Sequence, residues 1–158
     1  MRVIVQRVSQ ASVSWTDDHG QPRCERIGQG LVVLVGAGPD DQPAHADRLA
    51  AKVAQLRIFA DADGRFNRSL EDVGGAALVV SQFTLYADAT RGRRPSFVGA
   101  APPDDARALC QRFADHLAER GITTRTGSFG AHMTVSLDND GPVTIALSTE
   151  PWETRING

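Results

Sequence analysis

Two short segments concentrate the groups that could do chemistry in this chain. The first is Ser81-Gln82-Phe83-Thr84-Leu85, where the apolar run Ala77-Leu78-Val79-Val80 ends in a hydroxyl, an amide and a second hydroxyl. The second, far downstream, is Asn139-Asp140-Gly141-Pro142-Val143-Thr144, which sets a Gly-Pro pair in a turn between strands. Three readings of the first segment compete. Thr84 or Ser81 could be a nucleophile, which needs a base at hydrogen-bonding distance to activate a hydroxyl. The backbone N–H groups around Phe83 and Thr84 could instead face a carbonyl as it becomes an oxyanion. In the third, Ser81 and Thr84 only satisfy backbone groups at a strand end. None of His19, His45, His116 or His132 falls in a catalytic-base motif, and this favours the oxyanion reading over the nucleophile.

Other polar features carry less. Arg7 alternates with apolar neighbours and reads as a surface residue of an amphipathic strand. Arg91, Arg93 and Arg94 form a tight basic loop before Pro95-Ser96-Phe97, either a solvated surface or a place for phosphate contacts. Gly36-Ala37-Gly38 follows a strand, but the third glycine of a dinucleotide loop is missing and Pro39-Asp40-Asp41 puts acid where a pyrophosphate would sit. No cysteine, histidine or carboxylate spacing suggests a metal, and no cofactor is expected.

These segments need a scaffold. Arg2 to Val8 and Ser12 to Trp15 alternate as half-buried strands, and Asp17 to Pro22 reads as a hairpin loop. Leu31 to Val35 is continuous and apolar, as in a strand buried on both faces. A helix is predicted from about Asp41 to Arg57, with Ala46, Leu49, Ala50, Val53 and Leu56 on one face and acidic residues near its start. Turns at Asp61-Ala62-Asp63-Gly64 and Gly74-Gly75 precede the strand that ends at Gln82. A second helix is predicted from Asp104 to Arg120, with Asp104 capping its first amides and Gly121 closing it. Three strands follow, at about Thr123 to Gly127, Met133 to Asp138 and Val143 to Ser148. The pattern is that of a mixed α/β domain.

At 158 residues the chain fits one domain with one core. It has no apolar run near the ~20 residues of a membrane span, and its N-terminus enters a strand pattern where a secretory signal would need a long apolar centre, so a cytoplasmic protein is expected. Cys24 and Cys110 lie far apart in dissimilar contexts and are expected to be free thiols. A net charge of −2 argues against wrapping nucleic acid along the molecule, so any RNA contact should be small, and no DNA partner is expected.

With both segments in view, the chain resembles the D-aminoacyl-tRNA deacylases. Val3-Ile4-Val5-Gln6-Arg7-Val8, Tyr86 to Phe97, and Thr126-Gly127-Ser128-Phe129-Gly130-Ala131-His132-Met133 are similar to that family's segments in the same order. Thr16 to Arg26 and the tail from Thr149 have no clear counterpart, which suggests a domain over 1–148 and a tail over 149–158. The resemblance implies a compact barrel-like sheet with helices packed outside. It implies hydrolysis of the ester joining a D-amino acid to the 3′ end of tRNA, by a homodimer whose partners are the aminoacyl-tRNA end and its own second copy. By the same resemblance the Gly141-Pro142 bond is cis, each subunit inserts this turn into its partner's pocket, and L side chains collide with its carbonyls while Arg7 orients them. Ser81, Gln82, Phe83 and Thr84 would position the ester. Phe129 and Met133, with the Gly99-Ala100 backbone, would line the terminal-adenosine pocket, and Arg91 and Arg94 would meet phosphates. Glycine, with no side chain to collide, should also be released. The alternative is a tRNA-end-binding module without catalysis.

Overall fold

In the computed structural model, which describes residues 1–90 and 92–152, the first strand passes from one core to the other. β1 (Arg2–Thr16) buries Val3 and Val5 in a core beneath the helices, then Val8, Ala11 and Val13 in a second core on the other face. Register shifts between Gln6 and Val8 and between Val8 and Gln10 make this switch possible, because one extra residue turns every later side chain to the opposite face.

β2 (Pro22–Ile27) folds back on β1 as a hairpin, and β3 (Gly30–Gly36) pairs antiparallel with the first half of β1. β3 is apolar throughout because it is covered twice: Leu31, Val33 and Val35 face the helices, and Val32 faces the inner core. α1 (Pro43–Gln55) follows, then the small ribbon β4 (Phe59–Ala60) and β5 (Phe66–Arg68), and the single turn α2 (Leu70–Val73). β6 (Ala76–Ser81) lies parallel to β3, with Ala77 and Val79 facing the helices and Leu78 and Val80 the inner core. A 3-10 turn covers Phe83–Tyr86, after which α3 (Pro103–Glu119) packs beside α1. β7 (Thr123–Thr126) is parallel to β6, and β8 (Met133–Ser148) runs antiparallel along the whole of β1. The sheet order is β2-β1-β3-β6-β7, with β8 on the remaining side of β1. The result is the expected mixed α/β domain with a barrel-like sheet.

The expected element boundaries needed three corrections. The acid at the head of the first helix is not in its first turn, because the helix starts at Pro43 and the Asp41 carboxylate is drawn away to the Met1 amine, the Gly38 N–H and the Tyr86 hydroxyl. Asp104 is not the cap of α3; Pro102 holds that position, Pro103 fits the first turn without needing its missing N–H, and Asp104 and Asp105 follow inside it. The last two expected strands are one. Gly121, at φ 81°, does follow the end of α3 in the left-handed conformation assigned to it.

Candidate functional site

The Ser81 segment is positioned by the parallel pairing of β3 and β6, whose register sets Val35 beside Ser81. One residue later the Gln82 N–H still donates to the Val35 carbonyl at 2.7 Å, and then the chain leaves the sheet and coils. Leu85 N–H returns to Gln82 O at 3.3 Å and Ala87 N–H to Thr84 O at 3.0 Å. The N–H groups of Phe83 and Thr84, at the head of this coil, meet no protein acceptor among the described residues, as expected for the first donors of a helical turn. Glycines make room for it. A Cβ on Gly36 would lie 2.8 Å from Gln82 O and 3.2 Å from Leu85 Cβ, and one on Gly38 would lie 2.9 Å from the Tyr86 ring. The glycine pair that looked like a spoiled nucleotide loop is therefore the bed of this turn.

Beside the turn opens a cavity of about 580 Å³. Ser81, Gln82, Phe83, Ala100, Phe129 and Met133, six of the residues expected in the site, line it together. Phe83 is 57% exposed and meets Phe97 edge-on at 5.0 Å between ring centres, so an aromatic corner stands at one wall. Phe129 lies under the Arg107 guanidinium, 4.6 Å from its ring centre. Thr84 and Gly99 do not line this cavity. Thr84 Oγ1 accepts from the Gln82 side-chain amide, and Gly99 lies in a separate groove with Arg2 and Tyr86.

Among the described residues no base hydrogen-bonds to the hydroxyl of Ser81 or Thr84. His132, absent from the sequence-based site, lines the cavity, as does Cys110. Burial pushes the Cys110 thiol up to about 12, and its Sγ donates to Val35 O, so it is a protonated wall group rather than a nucleophile. The sequence-based site also missed the turn's rear support. Tyr86 is buried, its hydroxyl donates to Asp41 at 3.2 Å, and the Arg2 guanidinium lies 4.1 Å over its ring. Burial first, then the nearby carboxylates of Asp41 and Glu150, hold the Tyr86 phenol above its ordinary value.

The Gly141-Pro142 turn is built differently and stands apart from the cavity. It is not a hairpin between two strands: Val8 pairs with Asn139 and Gln6 with Thr144, so four residues, Asp140 to Val143, bulge from one strand opposite Arg7 alone. The Gly141-Pro142 bond is cis. Gly141 has φ 140°, and a Cβ there would meet Val143 Cγ2 at 2.7 Å, so glycine is required. Asn139 braces the bulge, accepting from Val143 N–H at 2.7 Å and donating to Thr144 Oγ1 at 3.0 Å.

Arg7 is not a surface residue. It is 8% exposed; its Nε donates to Asp140 O at 2.9 Å, its Nη1 donates to Ile58 O at 2.5 Å, and Phe66 covers the guanidinium at 5.1 Å. The carbonyl it holds is that of Asp140, immediately before the Gly-Pro pair. Arg93 and Arg94 are exposed in the loop that the Asp88–Ser96 bridge closes, and Arg91 lies outside the described residues. Among the described residues no three His, Cys, Asp or Glu side chains gather as a metal site, and no helix is long and apolar enough to cross a membrane.

Comparison with known proteins bears on this arrangement. Residues 4–148 match the family model described as D-Tyr-tRNA(Tyr) deacylase. The chain is 59% identical over 149 residues to a D-aminoacyl-tRNA deacylase of Roseiflexus sp. (strain RS-1), covering 94% of each, and 52% identical to one of Thermotoga petrophila, covering 94% of this chain and 97% of the relative. A solved structure titled c-Myc DNA Unwinding Element Binding Protein superposes with a TM-score of 0.85 at 34% identity, over 96% of this chain and all of that one. A probable eukaryotic D-amino acid tRNA deacylase shares the fold at a TM-score of 0.78 and 19% identity, over 92% of this chain and 97% of its own. The chain belongs to the D-aminoacyl-tRNA deacylase family of hydrolases.

Proposed function

We propose that this chain hydrolyses the ester between a D-amino acid and the 3′-terminal adenosine of tRNA, acting in the cytoplasm as a homodimer that proofreads chirality in translation. The observation that carries the reading is the pair of unpaired N–H groups on Phe83 and Thr84, beside a cavity lined by Phe129 and Met133. An aminoacyl ester is already activated, so positioning and oxyanion stabilisation suffice for water to attack its carbonyl. The two N–H groups receive the negative oxygen of the tetrahedral intermediate. Collapse of that intermediate releases the free amino acid and the ribose 3′-hydroxyl, and the neighbouring 2′-hydroxyl of the RNA helps to activate the water.

Phe129 offers an aromatic face to the unpaired adenine, with Met133 and the Ala100 backbone completing the grip. Arg91, Arg93 and Arg94 supply the phosphate contacts. The Thr84 hydroxyl, tied to Gln82 with no base beside it, serves as scaffold.

Selectivity is assigned to Gly141-Pro142 of a second copy, whose carbonyls exclude an L side chain and need no dedicated pocket for a D one. The buried hold of Arg7 on Asp140 O supports this, since exclusion requires a carbonyl ladder that does not yield. Glycyl-tRNA is then a substrate as well, and undetectable glycine release under conditions where D-amino acids are freed would refute that part.

The test is release of amino acid from D-tyrosyl-tRNA and L-tyrosyl-tRNA, side by side. Cleavage of the D form alone is expected. Equal cleavage of both would remove the role of Gly141-Pro142, and cleavage of neither would leave a module that only binds tRNA ends.

A further inference from the structure

Two residues outside the stretch that matches the family model, one at each end, meet behind the Phe83–Tyr86 turn. Arg2 precedes residue 4 and Trp152 follows residue 148, yet one guanidinium, that of Arg2, touches both the Tyr86 ring of the turn and the Trp152 ring of the tail. The Arg2 guanidinium lies 4.1 Å over the Tyr86 ring and 5.3 Å from the Trp152 ring. Its Nη1 donates to the Leu85 carbonyl at 3.0 Å, and its Nη2 is 3.6 Å from Glu150 Oε1. Among the described residues its buried Nε meets no acceptor.

We infer that the tail residues Glu150 and Trp152 clamp Arg2 as a positioning residue, which fixes the turn through the Leu85 carbonyl and so aims the Phe83 and Thr84 N–H groups. In a helical turn, carbonyls and N–H groups point in opposite directions, so a cation holding the Leu85 carbonyl orients the free donors at the other end. The flat guanidinium is what allows the arrangement: it stacks on aromatic rings while its edge donates, which an ammonium cannot do. Glu150 is exposed, and an ion pair of that kind contributes little by itself. Trp152 is half-buried and therefore the part of the clamp that matters most.

This inference rests on the proposed role of the turn, and the test separates the two. In the full chain, Trp152→Ala should lower kcat for D-tyrosyl-tRNA by about fivefold, the size expected for loss of one cation–π contact, with KM unchanged, Tm lowered by no more than about 4 °C and the protein fully folded at the assay temperature. Trp152→Phe should restore most of the rate, and Arg2→Lys should lower it at least as far as Trp152→Ala. Amide hydrogen exchange of Phe83 to Ala87 should quicken in Trp152→Ala while that of Met133 to Val135 stays as in the parent. An unchanged kcat with unchanged exchange overturns the clamp, and so does a kcat loss that merely follows unfolding at the assay temperature or a change confined to KM. If the parent protein cleaves neither ester the proposed function falls, and the exchange result still decides whether the tail holds the turn.

Discussion

The two turns that define this molecule both present backbone groups, and they are held in opposite ways. The Phe83–Tyr86 turn grows from the end of a parallel strand in the middle of the sheet, lies on Gly36 and Gly38, and has a cavity beside it in the same chain. The Asp140–Val143 bulge projects from β8, which among the described residues pairs with β1 alone, and Asp140, Gly141 and Pro142 are exposed. Its stiffness comes from two side chains, the buried Arg7 and the bracing Asn139. Backbone packing on two glycines, with Arg2 behind it, thus holds the turn assigned to chemistry, whereas the side chains of Arg7 and Asn139 hold the turn assigned to selection. Mutations should therefore damage the two functions separately.

The sharpest way to break this comparison is Gly36→Ala. Its Cβ would stand 2.8 Å from Gln82 O, so the turn must shift, and a misplacement approaching 1 Å should cost about a hundredfold in kcat with the preference for D over L unchanged. Single-turnover deacylation measures both. Arg7→Met should do the converse. It strands two carbonyls, one of them buried, and should cost about 2 kcal/mol of stability in urea unfolding while eroding discrimination against L-tyrosyl-tRNA more than the rate on the D form. Thr84→Ala should lower kcat less than about tenfold, because the hydroxyl only accepts from Gln82; a loss above about a thousandfold would restore the nucleophile reading and undo the assignment of chemistry to the backbone.

The smallest effect concerns the cavity wall. A thiol reagent at pH 8 should modify Cys24 and leave Cys110 untouched until the protein is unfolded. The Cys110 thiol has its folded value above its unfolded value of 9.0, so its contribution to stability is complete below about 9 and is lost as pH rises towards about 12. Cys110→Ala should flatten that part of the pH–stability curve.

Much of the scaffold was legible because its periods are strong. The continuous apolar run of β3 and the spacing of Ala46, Leu49, Ala50 and Val53 in α1 leave few alternatives. The continuity of β8 was not legible, since Asn-Asp-Gly-Pro is turn chemistry and local pattern cannot tell a hairpin from a bulge held against a distant strand. The burial of Arg7 was hidden for a related reason. A polar residue in an alternating strand reads as solvent-facing, and only the tertiary fold brings Ile58 O, Asp140 O and the Phe66 ring around it. Six site residues do line one cavity, but Gly99 lies in another groove and Thr84 faces Gln82. The support from Arg2 and Tyr86 had one signal, Gly36 and Gly38 at the end of a strand, and its meaning depends on what packs there.

The pairing of the first strand with the last also governs when the molecule can come into being. β1 matches Arg2 to Ser148 and Trp15 to Met133, so one side of the first-made strand waits for almost the whole chain to be synthesised. Until then only its contacts with β2 and β3 can form, and the parallel pairing of β3 with β6 is itself a contact distant along the chain. Such a high contact order places refolding in the slow range, about milliseconds to seconds, rather than microseconds. It also sets an order of assembly on the ribosome: the Phe83–Tyr86 turn can settle on β3 while β1 still has an open edge, and the Gly141-Pro142 bulge is among the last parts to gain a shape.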